Sequence, residues 1–266
     1  MKEINNKTFA VVTGASQGLG KAFAIEIASL NRDLILVSLP NQGLKDVAEE
    51  IKGKYHVEVI FFETDFTTNE NIIQLAGLIN KEFNIDILIN NAGIGGTRSF
   101  SEVNLDYINT ILQVNIHATT ILTHQLLPNL KRQHQAYILN VSSIAAFSPV
   151  GYKTVYPASK LFIHSFSRGL REELKNTGVS ISVIHPGAMA TNPEITSRIE
   201  KQGFMGKLTL IKTDRIAKYA IARLLKKEPI VVLSKLTFFT SKILPEWLTI
   251  PLMTRIVKRE ITNETI

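Results

Sequence analysis

Seven short apolar runs, rich in β-branched residues, recur along the chain with a helical pattern between most neighbouring pairs. The runs are TFAVVT (8–13), DLILVS (33–38), VEVIFF (57–62), DILINN (86–91), AYILNV (136–141), VSISVI (179–184) and PIVVL (229–233). They are continuous rather than alternating, which is typical of strands buried on both faces. This order predicts an α/β fold with a doubly wound, seven-stranded parallel sheet.

The predicted helices show how the chain divides. They span 19–30, 44–52, 71–83, about 104–130 and 157–176. No linker or repeat interrupts them, so we expect one domain over residues 1–234 and a C-terminal extension over 235–266. In the extension, Pro245 and Pro251 are expected to break the apolar sequence into short pieces. Two interpretations stay open for it: packing on the body or a second subunit, or contact with a membrane surface.

Composition excludes several classes of protein. The chain has no cysteine, so disulfides and thiolate metal sites are excluded, no metal site is predicted, and a cytoplasmic location is expected. Neither a secretory leader nor a spanning helix is expected. Residues 1–199 carry 17 basic and 17 acidic side chains, whereas residues 200–266 carry 13 and 6. A neutral body argues against nucleic-acid binding, and the basic end leaves an anionic partner open.

A glycine-rich loop, GASQGLG, follows the first predicted strand and precedes the first predicted helix. Glycine permits a sharp turn and lets backbone amides approach an anion. The helix N terminus then presents free N–H groups and a positive dipole end to a pyrophosphate. The sequence therefore predicts a dinucleotide site at this loop. Its residues are Gly14, Ser16, Gln17, Gly18, Leu19 and Gly20.

Two motifs together point to a family. The glycines follow the spacing Gly-x-x-x-Gly-x-Gly, and Tyr156 and Lys160 lie four residues apart in VYPASK. This combination resembles the short-chain dehydrogenase/reductase family over residues 8 to about 233, which implies a Rossmann fold. Pro157 fits the first turn of a helix, and a helix starting there places Tyr156 and Lys160 on one face.

The resemblance implies further cofactor-binding residues in the same order along the chain. In the family, an aspartate at the position of Asp65 holds the adenine amino group, and the motif Asn90–Gly93 borders the adenosine ribose. Pro186 and Gly187 end the sixth strand, and Thr191 follows where the family contacts the nicotinamide amide. The cofactor-binding residues expected beyond the glycine loop are Ser38, Asp65, Asn91, Ala92, Gly93, Tyr156, Lys160, Pro186, Gly187 and Thr191.

The resemblance also implies a catalytic constellation of Ser143, Tyr156, Lys160 and Asn115. Tyr156 would exchange a proton with the carbonyl oxygen, Ser143 would hydrogen-bond that oxygen, and Lys160 would bond the nicotinamide ribose. Asn115 would support a water that relays protons to Lys160. A free tyrosine has a pKa of about 10, so we expect the Lys160 ammonium and an oxidised nicotinamide to lower the pKa of Tyr156.

The end of the second predicted strand bears on which nicotinamide cofactor is bound. An acid there selects NAD, and a basic residue pairs with the NADP phosphate. The sequence is Ser38-Leu39-Pro40-Asn41, so no acid is expected to repel a phosphate. NADP-binding members of the family often carry Arg or Lys at the positions that hold Gln17 and Leu39 here, so that marker of NADP binding is missing too. Ser38, Asn41 and Lys45 could still bind a phosphate. NADP(H) is favoured and NAD(H) stays open.

The substrate is expected to be apolar, because the candidate cleft residues are mostly apolar. They are Ile94, Phe147, Val150, Val155, Met189, Phe204 and Met205. Arg98 is the one candidate anion contact. We expect carbonyl reduction or alcohol oxidation on an apolar ketone or a 3-oxoacyl substrate, with a role in lipid metabolism. An anionic long-chain 3-oxoacyl thioester would suit the basic end of the chain.

A different class of function also fits a nicotinamide-binding fold. A cofactor-binding redox sensor or scaffold without turnover is the alternative, and the presence of all four catalytic residues favours an enzyme. The family resemblance implies a homodimer or tetramer formed through the helices that carry Asn115 and Tyr156.

Overall fold

The computed structural model describes residues 7–187, 211–233 and 245–262, and seven parallel strands in these ranges form one sheet. The strands are β1 (Thr8–Thr13), β2 (Asp33–Ser38), β3 (Val59–Glu63), β4 (Asn84–Asn90), β5 (Ala136–Val141), β6 (Val179–His185) and β7 (Ile230–Val232). Their order across the sheet is β3-β2-β1-β4-β5-β6-β7. The predicted doubly wound seven-stranded parallel sheet is confirmed. The order reverses between β1 and β4, so a crevice opens there at the carboxyl ends of the strands.

Helices cover both faces of the sheet, and the described ranges contain eight α-helices in all. They are α1 (Gly18–Ser29), α2 (Leu44–Lys54), α3 (Asn69–Glu82), α4 (Leu105–Leu112), α5 (Ala118–Lys131), α6 (Val155–Glu173), α7 (Thr213–Leu225) and α8 (Glu246–Thr262). The single helix predicted over about 104–130 consists of α4, a π-helical turn at Gln113–His117 and α5. A π turn inserts one residue into the helix and so rotates the side chains around it.

The position of the sheet between two layers of helices explains why the strand sequences are continuously apolar. Along β1, Ala10 and Val12 pack into the core on the face covered by α1 and α7. Phe9 and Val11 pack into the core on the opposite face, with residues of α3 and α5. All four are buried, because each face of the sheet is covered by helices and both sets of side chains leave water.

Residues 246–262 form one helix, α8. Pro251 lies inside α8, so the expected break at this residue is wrong: the proline removes one backbone donor without ending the helix. Thr254 Oγ1 accepts a hydrogen bond of 2.9 Å from the Gly151 amide, and Val257 is buried. Trp247 points outward and is 77% exposed. None of the helices in the described ranges is long and apolar enough to cross a bilayer.

Candidate active site

A cleft of about 410 Å³ opens at the carboxyl ends of the strands, where the strand order reverses. It brings together most of the residues predicted from the sequence. These are Gly14, Ser16, Gln17, Gly18, Leu19, Ser38, Asp65, Asn91, Ala92, Gly93, Ser143, Tyr156, Lys160, Pro186 and Gly187. Gly20 and Asn115 do not line it. Thr191 lies outside the described residues, as do Met189, Phe204 and Met205.

The glycine loop adopts the backbone that its sequence requires. Gly14 and Gly18 have φ values of +65° and +56°, a left-handed region that favours glycine. A Cβ at Gly14 would lie 2.9 Å from Asn91 Nδ2. A Cβ at Gly20 would lie 1.9 Å from the Gly14 carbonyl oxygen, so Gly20 lets α1 pack on the loop instead of facing the cleft. The loop thus lines the cleft at the start of α1.

The loop is tied to β4 by hydrogen bonds at the point where the strand order reverses. Asn91 Nδ2 donates to the Thr13 carbonyl oxygen at 2.9 Å, and Thr13 Oγ1 accepts from the amides of Asn91 and Ala92, both at 3.0 Å. Asn91 therefore holds the two walls of the crevice together. Asp65 lies farther along the cleft, where its carboxylate accepts from the Thr67 amide at 2.9 Å.

Three of the four predicted catalytic side chains meet on one wall of the cleft. Tyr156 and Lys160 lie one turn apart at the start of α6, and Lys160 Nζ is 5.9 Å from the centre of the Tyr156 ring. Lys160 is buried and donates to the Val141 carbonyl oxygen at 3.0 Å. Ser143, just after β5, lines the same cleft and lies close enough to lower the pKa of Tyr156. Its Oγ also accepts from the Ala145 amide at 3.1 Å.

Burial controls the protonation of this pair. It raises the pKa of Tyr156 above 10.0, and the neighbouring Ser143 only partly opposes that rise. It lowers the pKa of Lys160 from 10.5 to about 8. The expected lowering of the tyrosine pKa is wrong for the protein alone, because removing the phenolate from water is the largest effect on that pKa. Tyr156 is consequently protonated at neutral pH.

Asn115 lies behind the cleft wall, in the π turn between α4 and α5. Its Oδ1 accepts from the Ile94 amide at 2.8 Å, and its Nδ2 donates to the Ile94 carbonyl at 2.9 Å and to Ser159 Oγ at 3.0 Å. Gly93 separates it from Lys160: a Cβ at Gly93 would lie 3.1 Å from both Asn115 Oδ1 and Lys160 Nζ. Glycine therefore leaves room between the amide and the ammonium.

An acid lies where the sequence led us to expect none. Glu63 ends β3 and pairs in register with Ser38, and its Oε1 accepts from the Asn41 amide at 3.2 Å. The expectation that no acid stands near the end of β2 is therefore wrong. Lys45, a candidate phosphate contact, instead lies 3.9 Å from Glu49. Residues that end adjacent parallel strands lie side by side, so the β2–β3 register brings Glu63 to the end of β2.

Several residues that line the cleft were not predicted as cofactor or catalytic residues. They are Leu39, Gln42, Thr64, Phe66, Thr67, Ile94, Thr110, Val114, Val141 and Ser142. Asp65 is the one acid and Lys160 the one basic residue among the described lining residues. In the described part of the chain, no three His, Cys, Asp or Glu side chains cluster so as to hold a metal ion.

Comparisons with known proteins agree on one family. The profile of the family described as short chain dehydrogenase matches residues 8–202. The chain is 31% identical over 245 residues to Hydroxysteroid dehydrogenase-like protein 1 of Gallus gallus, covering 90% of this chain and 73% of that protein. It is 36% identical over 204 residues to Very-long-chain 3-oxoacyl-CoA reductase of Anas platyrhynchos, covering 74% and 63%. The solved short-chain dehydrogenase from Sphingobium yanoikuyae in complex with NADPH has a TM-score of 0.76 and 26% identity, covering 85% of this chain and 87% of that one.

Proposed function

The chain belongs to the short-chain dehydrogenase family, and on that premise we propose that it interconverts a carbonyl group and an alcohol with a nicotinamide cofactor, using Ser143, Tyr156, Lys160 and Asn115. One observation carries the proposal. Ser143 and Tyr156 line one cleft together with the buried Lys160, one turn from Tyr156, and with the glycine loop. A proton donor and an anion-binding loop thus share one cavity.

The residues of the cleft fit a nicotinamide dinucleotide. Gly14 and Gly18 line the cleft at the start of α1, where N–H groups and the helix dipole would stabilise a pyrophosphate. Asp65 would hold the adenine end, while Pro186 and Gly187 would border the nicotinamide. The cofactor supplies or accepts the hydride when bound.

The protein's own residues handle the proton. Because burial keeps Tyr156 protonated, its hydroxyl is ready to donate to a carbonyl oxygen as that oxygen gains negative charge. The Ser143 hydroxyl would hydrogen-bond the same oxygen and fix its position. The nearby Lys160 ammonium favours the phenolate that Tyr156 becomes. Asn115 and the space at Gly93 would support a water that returns a proton to Lys160.

An apolar ketone or a 3-oxoacyl compound is the substrate class that we propose. Ile94 lines the cleft beside Tyr156, and no charged side chain other than Asp65 and Lys160 is among the described lining residues. The similarity to a duck protein named as a very-long-chain 3-oxoacyl-CoA reductase supports the acyl option, although the match spans 63% of that protein. The excess of positive charge after residue 200 would favour an anionic thioester.

NADP(H) is the cofactor that we propose. Ser38 and Gln42 line the cleft at the end of β2 and can donate hydrogen bonds to a 2′-phosphate. A relative in complex with NADPH, at 26% identity, supports this choice. Glu63 opposes it, because an exposed carboxylate near Asn41 repels a phosphate. We therefore propose a modest preference for NADP(H) rather than exclusion of NAD(H).

We also propose that the outer face of α8 contacts an anionic membrane surface. Leu248 and Leu252 are 51% and 54% exposed and Trp247 is 77% exposed. The exposed Arg255 and Lys258 follow them along the same helix. Such a helix can lie in a bilayer interface with its lysines and arginines at headgroup level. Sedimentation with phosphatidylserine vesicles should retain the wild type and release a variant carrying Trp247→Ser and Leu252→Ser; equal release would contradict this contact.

Subunit pairing through α6 is a further part of the proposal. Leu161 and Phe162 are 43% and 41% exposed, and Phe162 stacks on Phe166 with ring centres 6.1 Å apart. Burying these side chains against the same helix of a second copy would form an isologous dimer. Sedimentation equilibrium should give a dimer or tetramer for the wild type and a smaller species for Phe162→Ser. A monomeric wild type would contradict the pairing.

A carbonyl panel tests the reaction itself. Small ketones, bulky apolar ketones and 3-oxoacyl-CoA esters of increasing length would each be offered with NADPH and, separately, with NADH. We expect cofactor oxidation to rise with the apolar size of the carbonyl compound and to be faster with NADPH. Tight NADPH binding without turnover of any compound would instead favour a cofactor-binding sensor or scaffold.

A further inference from the structure

Two histidines lie directly behind Ser143 and take no part in the chemistry described above. His185 ends β6 and is 1% exposed, and its Nδ1 lies 3.2 Å from the Ser143 carbonyl oxygen. His164, on α6, places its Nδ1 3.1 Å from His185 Nε2. We propose that His185, oriented by His164, is a positioning residue that fixes the Ser143 backbone and so aims the Ser143 hydroxyl. The inference rests on the proposed role of Ser143 in carbonyl reduction.

When both imidazole rings are neutral, His164, His185 and the Ser143 carbonyl allow only one placement of the ring protons. A carbonyl oxygen only accepts, so the contact with Ser143 requires the proton of His185 to be on Nδ1. The Nε2 atom of a neutral His185 is then an acceptor, and His164 must present Nδ1–H to it. Hydrogen bonds therefore run in one direction, from His164 to His185 and from His185 to the Ser143 carbonyl.

Phe147 holds both imidazole rings in place. Its ring meets His164 edge-on, with ring centres 5.0 Å apart and an interplanar angle of 82°. It meets His185 at 4.9 Å and 53°. Phe147 also ends the 3₁₀ turn Ile144–Phe147 that follows Ser143 directly. Packed aromatic rings have few low-energy orientations, so the turn after Ser143 and the two histidines constrain one another.

The Ser143 carbonyl accepts a second hydrogen bond, so losing His185 would change the position of Ser143 without unfolding the turn that follows it. The Ala146 amide donates to the same oxygen at 3.1 Å, and the Ile144 amide donates to the Pro186 carbonyl at 3.0 Å. The 3₁₀ turn would therefore persist without the imidazole. The loss of His185 removes the hydrogen bond from β6 to the Ser143 carbonyl itself, while the Ser142 and Ile144 amides keep theirs to Ile184 and Pro186. Because the Ser143 hydroxyl would hydrogen-bond the carbonyl oxygen of the substrate, a change in its direction affects the reacting oxygen rather than the cofactor.

A matched set of variants tests the positioning role. The amide nitrogen of an asparagine is attached to the same carbon as the histidine Nδ1, so His185→Asn keeps a donor for Ser143, whereas His185→Leu removes it. Rates would be measured with the carbonyl compound that the wild type reduces fastest in the panel, and NADPH affinity by fluorescence titration. We expect His185→Leu to lower kcat about tenfold with unchanged NADPH affinity, and His185→Asn to stay within about threefold of the wild type.

Two kinetic outcomes would overturn the proposal. One is a wild-type kcat in a folded His185→Leu variant, and the other is an equal loss in His185→Asn and His185→Leu. Thermal melts of both variants would show that they are folded. A merely structural role would lower the melting temperature and NADPH affinity of both variants together, without rescue by the asparagine.

A spectroscopic measurement shows which nitrogen of His185 carries the proton, and it needs no substrate. Full-length protein labelled with ¹⁵N-histidine would give long-range ¹H–¹⁵N spectra, in which His185 is assigned by its absence from His185→Asn. We expect the Nδ1-protonated tautomer for His185, with Nε2 unprotonated. An Nε2-protonated His185 would overturn the inference even if carbonyl reduction is established. Conversely, a chain that reduces no carbonyl would refute the proposed function and leave this tautomer as predicted.

Discussion

Replacing Lys160 by methionine should stabilise the protein at neutral pH, because a buried ammonium destabilises the folded state. Burial lowers the pKa of Lys160 from 10.5 to about 8. That difference corresponds to about 3 kcal/mol of free energy. Methionine fills similar volume without a charge, but it also removes the hydrogen bond to the Val141 carbonyl, which costs about 1 kcal/mol. The net expected gain at pH 7 is about 2 kcal/mol.

The pH dependence of that gain is the sharper test. Below pH 8 the ammonium is charged in the folded and the unfolded chain, so the full penalty of burying the Lys160 ammonium is present in the wild type. Between pH 8 and 10.5 the unfolded state binds more protons than the folded state, so wild-type stability rises with pH. The penalty should fall from about 3 kcal/mol at pH 7 to about 1 kcal/mol at pH 10. The cost of the lost hydrogen bond does not change with pH.

Urea unfolding without added cofactor measures both effects. Midpoints and slopes for the wild type and Lys160→Met would be compared at pH 7 and pH 10. Lys218→Met, at an exposed position of α7, is the matched control and should give the same difference from the wild type at both values. If the difference for Lys160→Met fails to shrink on going to pH 10, the buried-ammonium argument is refuted.

Three further predictions concern the cleft. A methyl group in Gly93→Ala would press on Asn115 Oδ1 and Lys160 Nζ, each 3.1 Å away, and should lower kcat about tenfold in steady-state assays. Glu63→Gln should tighten NADPH binding about fivefold with little change for NADH, since an exposed like-charge pair costs about 1 kcal/mol; fluorescence titration measures both. Because burial raises the pKa of Tyr156, alcohol oxidation should speed up with rising pH, whereas carbonyl reduction should be flat and then decline, as pH–rate profiles would show.

Controls separate these effects from general damage. Gly77→Ala on α3 meets no atom within 4 Å and should leave kcat unchanged. A wild-type kcat in Gly93→Ala would mean that the space at this residue has no role in turnover. Equal tightening of both cofactors by Glu63→Gln would exclude a selective effect on the 2′-phosphate. Oxidation that slows with rising pH would contradict the protonation assigned to Tyr156.

The sheet was predictable because burial on both faces leaves a mark in the sequence. Strands such as β1 and β5 have the predicted bounds, since a helix covers each face and every strand residue is apolar or paired. The glycine loop was predictable for a similar reason: the positive φ at Gly14 favours glycine, and the close approach of Gly20 to the Gly14 carbonyl leaves no room for a Cβ.

The remaining features depend on pairings between distant residues. The π turn at Gln113–His117 has the apolar pattern of an ordinary helix, so periodicity could not reveal it. Glu63 approaches Asn41 through the β2–β3 register, which a linear sequence does not state. The pKa of Tyr156 depends on how deeply the fold buries the hydroxyl, and the His164–His185 pair joins α6 to β6.

The most direct test of the proposed mechanism is the effect of Tyr156→Phe on carbonyl reduction and on NADPH binding. Carbonyl reduction would be followed with NADPH and the best compound of the panel, and NADPH binding by fluorescence titration on the same preparations. We expect kcat to fall by at least about a hundredfold, because the general acid is lost, while the dissociation constant for NADPH stays within about threefold of the wild type. A variant that keeps a near-normal reduction rate would contradict the assignment of Tyr156 as the proton donor.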